Sequence, residues 1–143
     1  MLLYDVNVVL AAHRADHPHH DVALAELTQA GLGAEPFTVP TAVWGALLRL
    51  ATHRKVFPVP STVADVFAFL DAVRAQPAYV EVGPGPRHLL LLRQVCEASG
   101  ATGDLVPDAV LAAAALEHGA TVVTFDRDFG RFEAVAQRAP GQG

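Results

Sequence analysis

The segment Met1-Leu2-Leu3-Tyr4-Asp5-Val6-Asn7 opens the chain with four apolar residues, then an acid and, two positions on, an amide. A short apolar run cut off by a polar residue reads as a buried strand of a parallel sheet, here Met1 to Asp5. A second such run, Ala120-Thr121-Val122-Val123-Thr124-Phe125, leads at once into Asp126-Arg127-Asp128. Between the two lie more than a hundred residues of mostly helical pattern. Strands separated by helices argue for an α/β domain with a mainly parallel sheet, in a three-layer α/β/α sandwich. Open parallel sheets bind their ligands beyond the carboxyl ends of their strands. Asp5 and Asp126 each stand at such an end.

Working outward, Val8 to Ala12 continues into a first helix. A second spans about His20 to Ala30, capped by Asp21 or Pro18 and closed by Gly31 and Gly33. Phe37 to Pro40 is extended. Thr41 caps a helix through Leu50, and Ser61 or Thr62 caps another from Val63 to Ala75. Ala78 to Val82 is a third strand candidate, and Gly83-Pro84-Gly85-Pro86 is a turn before a helix from His88 to Ser99. Pro107 suits the first turn of a helix that reaches His118, where Gly119 stops it. Residues 1–136 make one domain. The tail Gln137 to Gly143 has no core-forming pattern and is expected to fray.

Hydrophobic residues make up 52% of the chain and charged residues 17%, with Ala and Val in excess, so either its elements are well covered or a helical surface is covered by another chain. No apolar stretch is long enough to cross a bilayer, and Asp5 interrupts any signal-peptide pattern, which together suit the cytoplasm. Cys96 is the single cysteine and reads as an apolar filler. A net charge of −5 argues against broad electrostatic binding of nucleic acid, though not against a local basic patch beside an acidic centre.

Acids gathered in one place repel each other unless a cation neutralises them. Asp5, Asp108, Asp126 and Asp128, with Asp104 just ahead of the helix and Asn7 at the first strand end, therefore suggest a divalent-metal site for phosphodiester chemistry. Mg²⁺ takes such hard oxygen ligands and fills its shell with water and phosphate oxygens. Each residue also has an ordinary explanation. Asp5 and Asn7 suit a turn and a helix cap. Asp108 suits the positive end of a helix. Asp126-Arg127-Asp128 suits a solvated turn. Glu117, nine residues after Asp108, should face away from it. His13, His17, His19 and His20 lack the cysteine or HExxH company of a zinc site and read as a solvated turn. Of the ten basic residues, all Arg except Lys55, only Arg127 and Arg131 lie beside the last acids and suit phosphate contacts.

Leu3-Tyr4-Asp5-Val6-Asn7, Val106-Pro107-Asp108-Ala109 with its continuation to Glu117-His118-Gly119, and Val123-Thr124-Phe125-Asp126-Arg127-Asp128-Phe129 together resemble the PIN-domain family. Within it they are most similar to VapC toxins of VapBC toxin–antitoxin pairs. The resemblance implies an endoribonuclease, dependent on Mg²⁺ or Mn²⁺, that cuts cellular RNA and inhibits translation. It carries the metal-binding role onto Asp5, Asp108 and Asp126, with Asp128 as a supplementary acid and Asn7 and Thr124 as polar helpers. It also implies a homodimer and a VapB-type antitoxin. The family's usual Glu in the helix after the second strand is absent, with Gly45 or Ala46 in its place, so Asp104 is a possible substitute. That departure leaves open a PIN-fold module that binds RNA or antitoxin and cuts weakly. A metal phosphatase is a third reading.

Overall fold

The computed structural model describes residues 1–142; Gly143, the end of the expected tail, lies outside the described residues. Four parallel strands, β1 (Leu2–Tyr4), β2 (Phe37–Thr38), β3 (Thr121–Val123) and β4 (Gln137–Arg138), form a sheet in the order β2-β1-β3-β4. Tyr4 lies opposite Val123, so the carboxyl ends of β1 and β3 finish level. The chain leaves β1 in one direction to reach β2 and later returns to its other side as β3. The crevice between β1 and β3 is thus the topological switch point of the sheet.

Among the described residues six helices flank it: α1 (Val6–His13), α2 (His20–Leu32), α3 (Thr41–Ala51), α4 (Val63–Arg74), α5 (His88–Ser99) and α6 (Val106–His118). Helix α1 packs on α2 and α3, and α3 on α4, while α5 and α6 pack on each other and α6 on β3. Tyr4, Phe37, Leu47, Val122 and Phe129 are fully buried between these groups, and the Tyr4 ring meets Phe37 edge-on at 5.8 Å. The expected three-layer sandwich is the observed one. None of the helices among the described residues is long and apolar enough to cross a membrane.

Four expectations need correction. Helix α1 begins at Val6, two residues early, because the Asp5 carboxylate caps it by accepting from the Val6 N–H at 2.7 Å. The caps expected of Thr41, Asp21 and Pro18 are not made: α3 starts at Thr41 itself, and α2 follows His19 without a side-chain cap. Ala78 to Val82 is not a strand. It makes a single parallel bridge, Tyr79 to Phe37, because β2 is two residues long and offers no further ladder.

The tail is the fourth. Gln137 and Arg138 pair with Val122 and Val123 as the fourth strand, so the ordered domain runs past 136. The side chain of Arg138 reaches Glu26 of α2, and the Gly141 N–H donates to the same carboxylate at 2.8 Å. A charged residue in a short edge strand leaves no apolar signature, which is why the pattern alone missed it.

Candidate active site

Asp5 follows β1 directly, and its backbone N–H donates to Val123 O at 3.1 Å, extending the β1–β3 pairing by one position. That places Asp5 beside Thr124, 119 residues away in sequence. The Thr124 hydroxyl donates to Asp5 Oδ2 at 2.8 Å and accepts from Asn7 Nδ2 (3.0 Å) and from the Asp126 N–H (3.0 Å). One donor and two acceptor positions saturate a hydroxyl, so Thr124 is fixed by its three partners. Asn7 also donates to Asp5 Oδ2 at 3.3 Å and accepts from the Phe125 N–H at 3.1 Å. Asn7 and Thr124 thus stitch the two strand ends together around one carboxylate.

Three of the roughly four lone-pair positions of that carboxylate are occupied, by Val6, Thr124 and Asn7. What remains suits one further contact. Asp5 is 6% exposed, and burial raises its carboxyl above the usual carboxylate range despite the Thr124 and Val6 hydrogen bonds; the Asp126 charge adds to the rise. Asp108, in the first turn of α6, is also raised, first by burial and then by repulsion from Asp5 and Asp126, with Arg131 opposing. Three acids from β1, α6 and the β3 end therefore share one repulsive field. Their donors are hard oxygens, and the ionised forms of Asp5 and Asp108 are disfavoured as they stand, which fits a divalent cation. Among the described residues no three acids, imidazoles or thiols are close enough to enclose an ion alone. An ion bound here would keep water or phosphate oxygens in its shell, as Mg²⁺ prefers.

The remaining candidates fall in graded positions. Asp126 Oδ1 accepts from the Asp128 N–H at 2.9 Å and so caps the 3-10 helix Arg127–Arg131, leaving the Asp128 side chain exposed on its first turn. Arg131 donates from Nε to Asp128 O at 3.0 Å. Arg127 is exposed. Asp104 is exposed in the 3-10 turn Gly103–Leu105, and no hydrogen bond among the described residues ties it to the acids.

Beside Asp5 and Asp108 opens an apolar cavity of about 270 Å³, walled by Pro40, Val43, Ala46, Val82 and Leu111. Ala46 faces it and Gly45 does not, so position 46 is where an acid carried by α3 would approach Asp5 and Asp108. The chain has a methyl group there. Sequence reasoning missed what closes the far side. Glu117 indeed plays no part in the acidic group; its carboxylate instead accepts from the Gly85 N–H (2.8 Å) and the Arg87 N–H (3.0 Å). His118 donates to Gly83 O at 2.9 Å beside it. These contacts hold the Gly83–Arg87 turn against α6. A Cβ at Gly85 would lie 2.6 Å from Glu117 Oε2 and displace that carboxylate. Gly85→Ala is expected to speed amide exchange at Gly85 and Arg87 by roughly tenfold, measured by hydrogen exchange, with the sheet unaffected.

Comparison with known proteins completes the picture. The family model for the PIN domain matches residues 2–135. Ribonuclease VapC25 of Mycobacterium tuberculosis is 52% identical over 140 residues, covering 98% of this chain and 99% of that protein. Ribonuclease VapC31 of the same organism is 51% identical over 140 residues, with the same coverage. Among solved structures, VapBC2 from Rickettsia felis bound to a promoter DNA fragment superposes with a TM-score of 0.70 at 16% identity, covering 96% of this chain and 97% of that one. FitAcB from Neisseria gonorrhoeae gives 0.66 at 18% identity, covering 98% of each. At those identities the structural likeness establishes the fold, and the close sequence relatives speak to activity.

Proposed function

This chain belongs to the PIN-domain family, among the VapC ribonucleases, and from that premise we propose that it is an endoribonuclease toxin of a type II toxin–antitoxin system whose acidic group is its active site. The observation that carries the proposal is the placement of Asp5, Asp108 and Asp126 at the switch point of the sheet, where the Thr124 hydroxyl bonds both the Asp5 carboxylate and the Asp126 N–H. In this reading the three carboxylates hold Mg²⁺ or Mn²⁺, and Asp128 completes the cluster from the edge. A bound divalent ion supplies a more acidic water and neutralises charge on the phosphate. Asn7 and Thr124 keep Asp5 in one orientation, as polar groups behind a ligand do. Arg131, already close enough to Asp108 to lower its carboxyl, and Arg127 meet the phosphates on either side. Hydrolysis there would form one P–O bond from water and break the bond to the leaving oxygen, which would take up the proton that the water gives up. Asp104 takes no part.

The relatives' names and the solved VapBC2 assembly support a cognate VapB-type antitoxin as the partner, and we extend the reading to a homodimer acting in the cytoplasm. Ala46 favours a second reading. A PIN-fold module one acid short would bind RNA or antitoxin and cut slowly, and growth arrest that survives loss of all three acids would support it. The test is cleavage of total RNA by the purified chain with Mg²⁺ or Mn²⁺. Discrete fragments that vanish with EDTA are expected. Cleavage indifferent to EDTA would overturn the metal assignment, and a folded protein that cuts nothing with either ion would favour the binding module.

A further inference from the structure

In the histidine-rich turn ahead of α2, no three ligating side chains gather among the described residues. His20 is tied into the fold through Nδ1 and Ala11 O at 2.8 Å. His19 is not. It occupies the residue before α2, where Ser, Thr, Asp or Asn would ordinarily cap the helix, yet its ring caps nothing. Instead the exposed imidazole lies almost parallel to the Phe125 ring, with centroids 4.8 Å apart and 23° between planes. His17 follows at 5.8 Å from His19, and its Nδ1 accepts from the His19 N–H at 3.0 Å, which holds the pair in place.

Phe125 joins this row to the acids. It stands between Thr124 and Asp126, and its N–H is held by Asn7, the residue that also holds Asp5. Phe125 thus backs the exposed ring of His19 at the edge of the acidic group, while His17 lies beside it, tilted 43°. Proteins that grip single-stranded nucleic acid use rings in this way, because every base has a π-face and stacking tolerates any sequence. Such a grip matters here, since the net charge of −5 gives the chain little general attraction for RNA.

We propose that His19, backed by Phe125 and steadied by His17, stacks on a nucleobase next to the scissile phosphate and positions the RNA strand over the acids. This rests on the ribonuclease reading above. It makes His19 a positioning residue for the RNA rather than a participant in bond cleavage.

The test uses the full chain carrying Asp108→Asn, so that RNA is not consumed, with Mg²⁺ present. The probes are short single-stranded oligoribonucleotides bearing the fluorescent base 2-aminopurine at successive positions. With His19 intact, quenching is expected at one position along the bound strand. His19→Ala should abolish that quenching and weaken RNA binding about tenfold, as loss of one stacked base does. His19→Tyr should restore both, because it returns the ring without the imidazole. In the parent enzyme with Asp108 intact, His19→Ala should raise KM and leave kcat nearly unchanged. RNA that binds with unchanged affinity and unchanged quenching in His19→Ala overturns the stacking proposal and leaves the nuclease reading standing. A parent enzyme that neither binds nor cuts single-stranded RNA overturns both.

Discussion

Asp5→Asn and Asp108→Asn are each expected to lower RNA cleavage by on the order of 10³-fold while the protein stays folded. The two substitutions differ in what they leave behind. Asn at position 5 retains a carbonyl oxygen for the Val6 N–H, so the start of α1 keeps its cap. It replaces the other oxygen with an NH₂, which cannot accept the Thr124 and Asn7 hydrogen bonds, so the polar link between β1 and β3 loosens. Asp108 has no such structural employment among the described hydrogen bonds, and its ionised form is disfavoured by burial and by both neighbouring acids. Neutralising it removes repulsion. The melting temperature of Asp108→Asn is therefore expected to equal or exceed that of the parent, while that of Asp5→Asn falls slightly. A loss of function coupled to unchanged or higher stability marks a site held against its own repulsion for a purpose other than folding. Cleavage of total RNA with matched thermal melts measures both quantities. Activity retained in both variants would sink the assignment of these acids.

Arg138→Met should cost about 2–4 kcal/mol of folding stability, seen as a fall of roughly 10 °C in Tm. Glu26 is 8% exposed on α2, and Arg138 reaches it from the last strand with both terminal guanidinium nitrogens, at 2.7 and 3.2 Å. The Tyr4 hydroxyl donates to the same carboxylate at 2.8 Å. Removing the guanidinium leaves a buried carboxylate without its counter-charge, which costs far more than the pair contributes when intact. The position of Arg138 at the rim, partly open to water, sets the figure below that for a fully buried pair. Burial alone would raise the Glu26 carboxyl, but the hydrogen bonds from Arg138, Gly141 and Tyr4 outweigh it and hold it below the usual range. A carboxyl lowered by folding stabilises the protein above its ordinary pKa, and that contribution disappears as pH falls through the folded value. The parent should thus lose stability on acidification below about pH 4.5 more steeply than Glu26→Gln does. Parallel slopes for the two would remove the network from the stability of this fold.

Much of the fold could be read directly. The apolar run ending at Asp5 and the one ending at Thr124 and Phe125 became the two central strands, and the helices from Val63, His88 and Pro107 lie within a residue or two of where their caps and breakers placed them. Strand and helix patterns report which faces are buried, and a burial pattern is local. The candidate acids were legible for a related reason: charge at the end of an apolar run is conspicuous. Their role beyond that came from family resemblance, because the residue types alone equally suited caps and turns. Asp5 shows how both explanations can hold at once, since one carboxylate oxygen caps α1 and the other faces Thr124.

The sequence by itself determined the parallel α/β class, the order of its elements and the short list of acids. Which of those acids meet was decided only in three dimensions. The pairing of β1 with β3 brings Asp5 and Thr124 together across 119 positions, while no described hydrogen bond ties Asp104 to them. The same pairing stage made a strand of the tail through Arg138 and Glu26, and turned Glu117 toward the Gly85 turn. It also set Ala46 rather than Gly45 against the cavity and His19 against Phe125. Periodicity says that a face is covered; it does not name the residue that covers it. Polar partners are chosen by strand register and helix rotation, which the chain settles only when distant segments bury their apolar surfaces together.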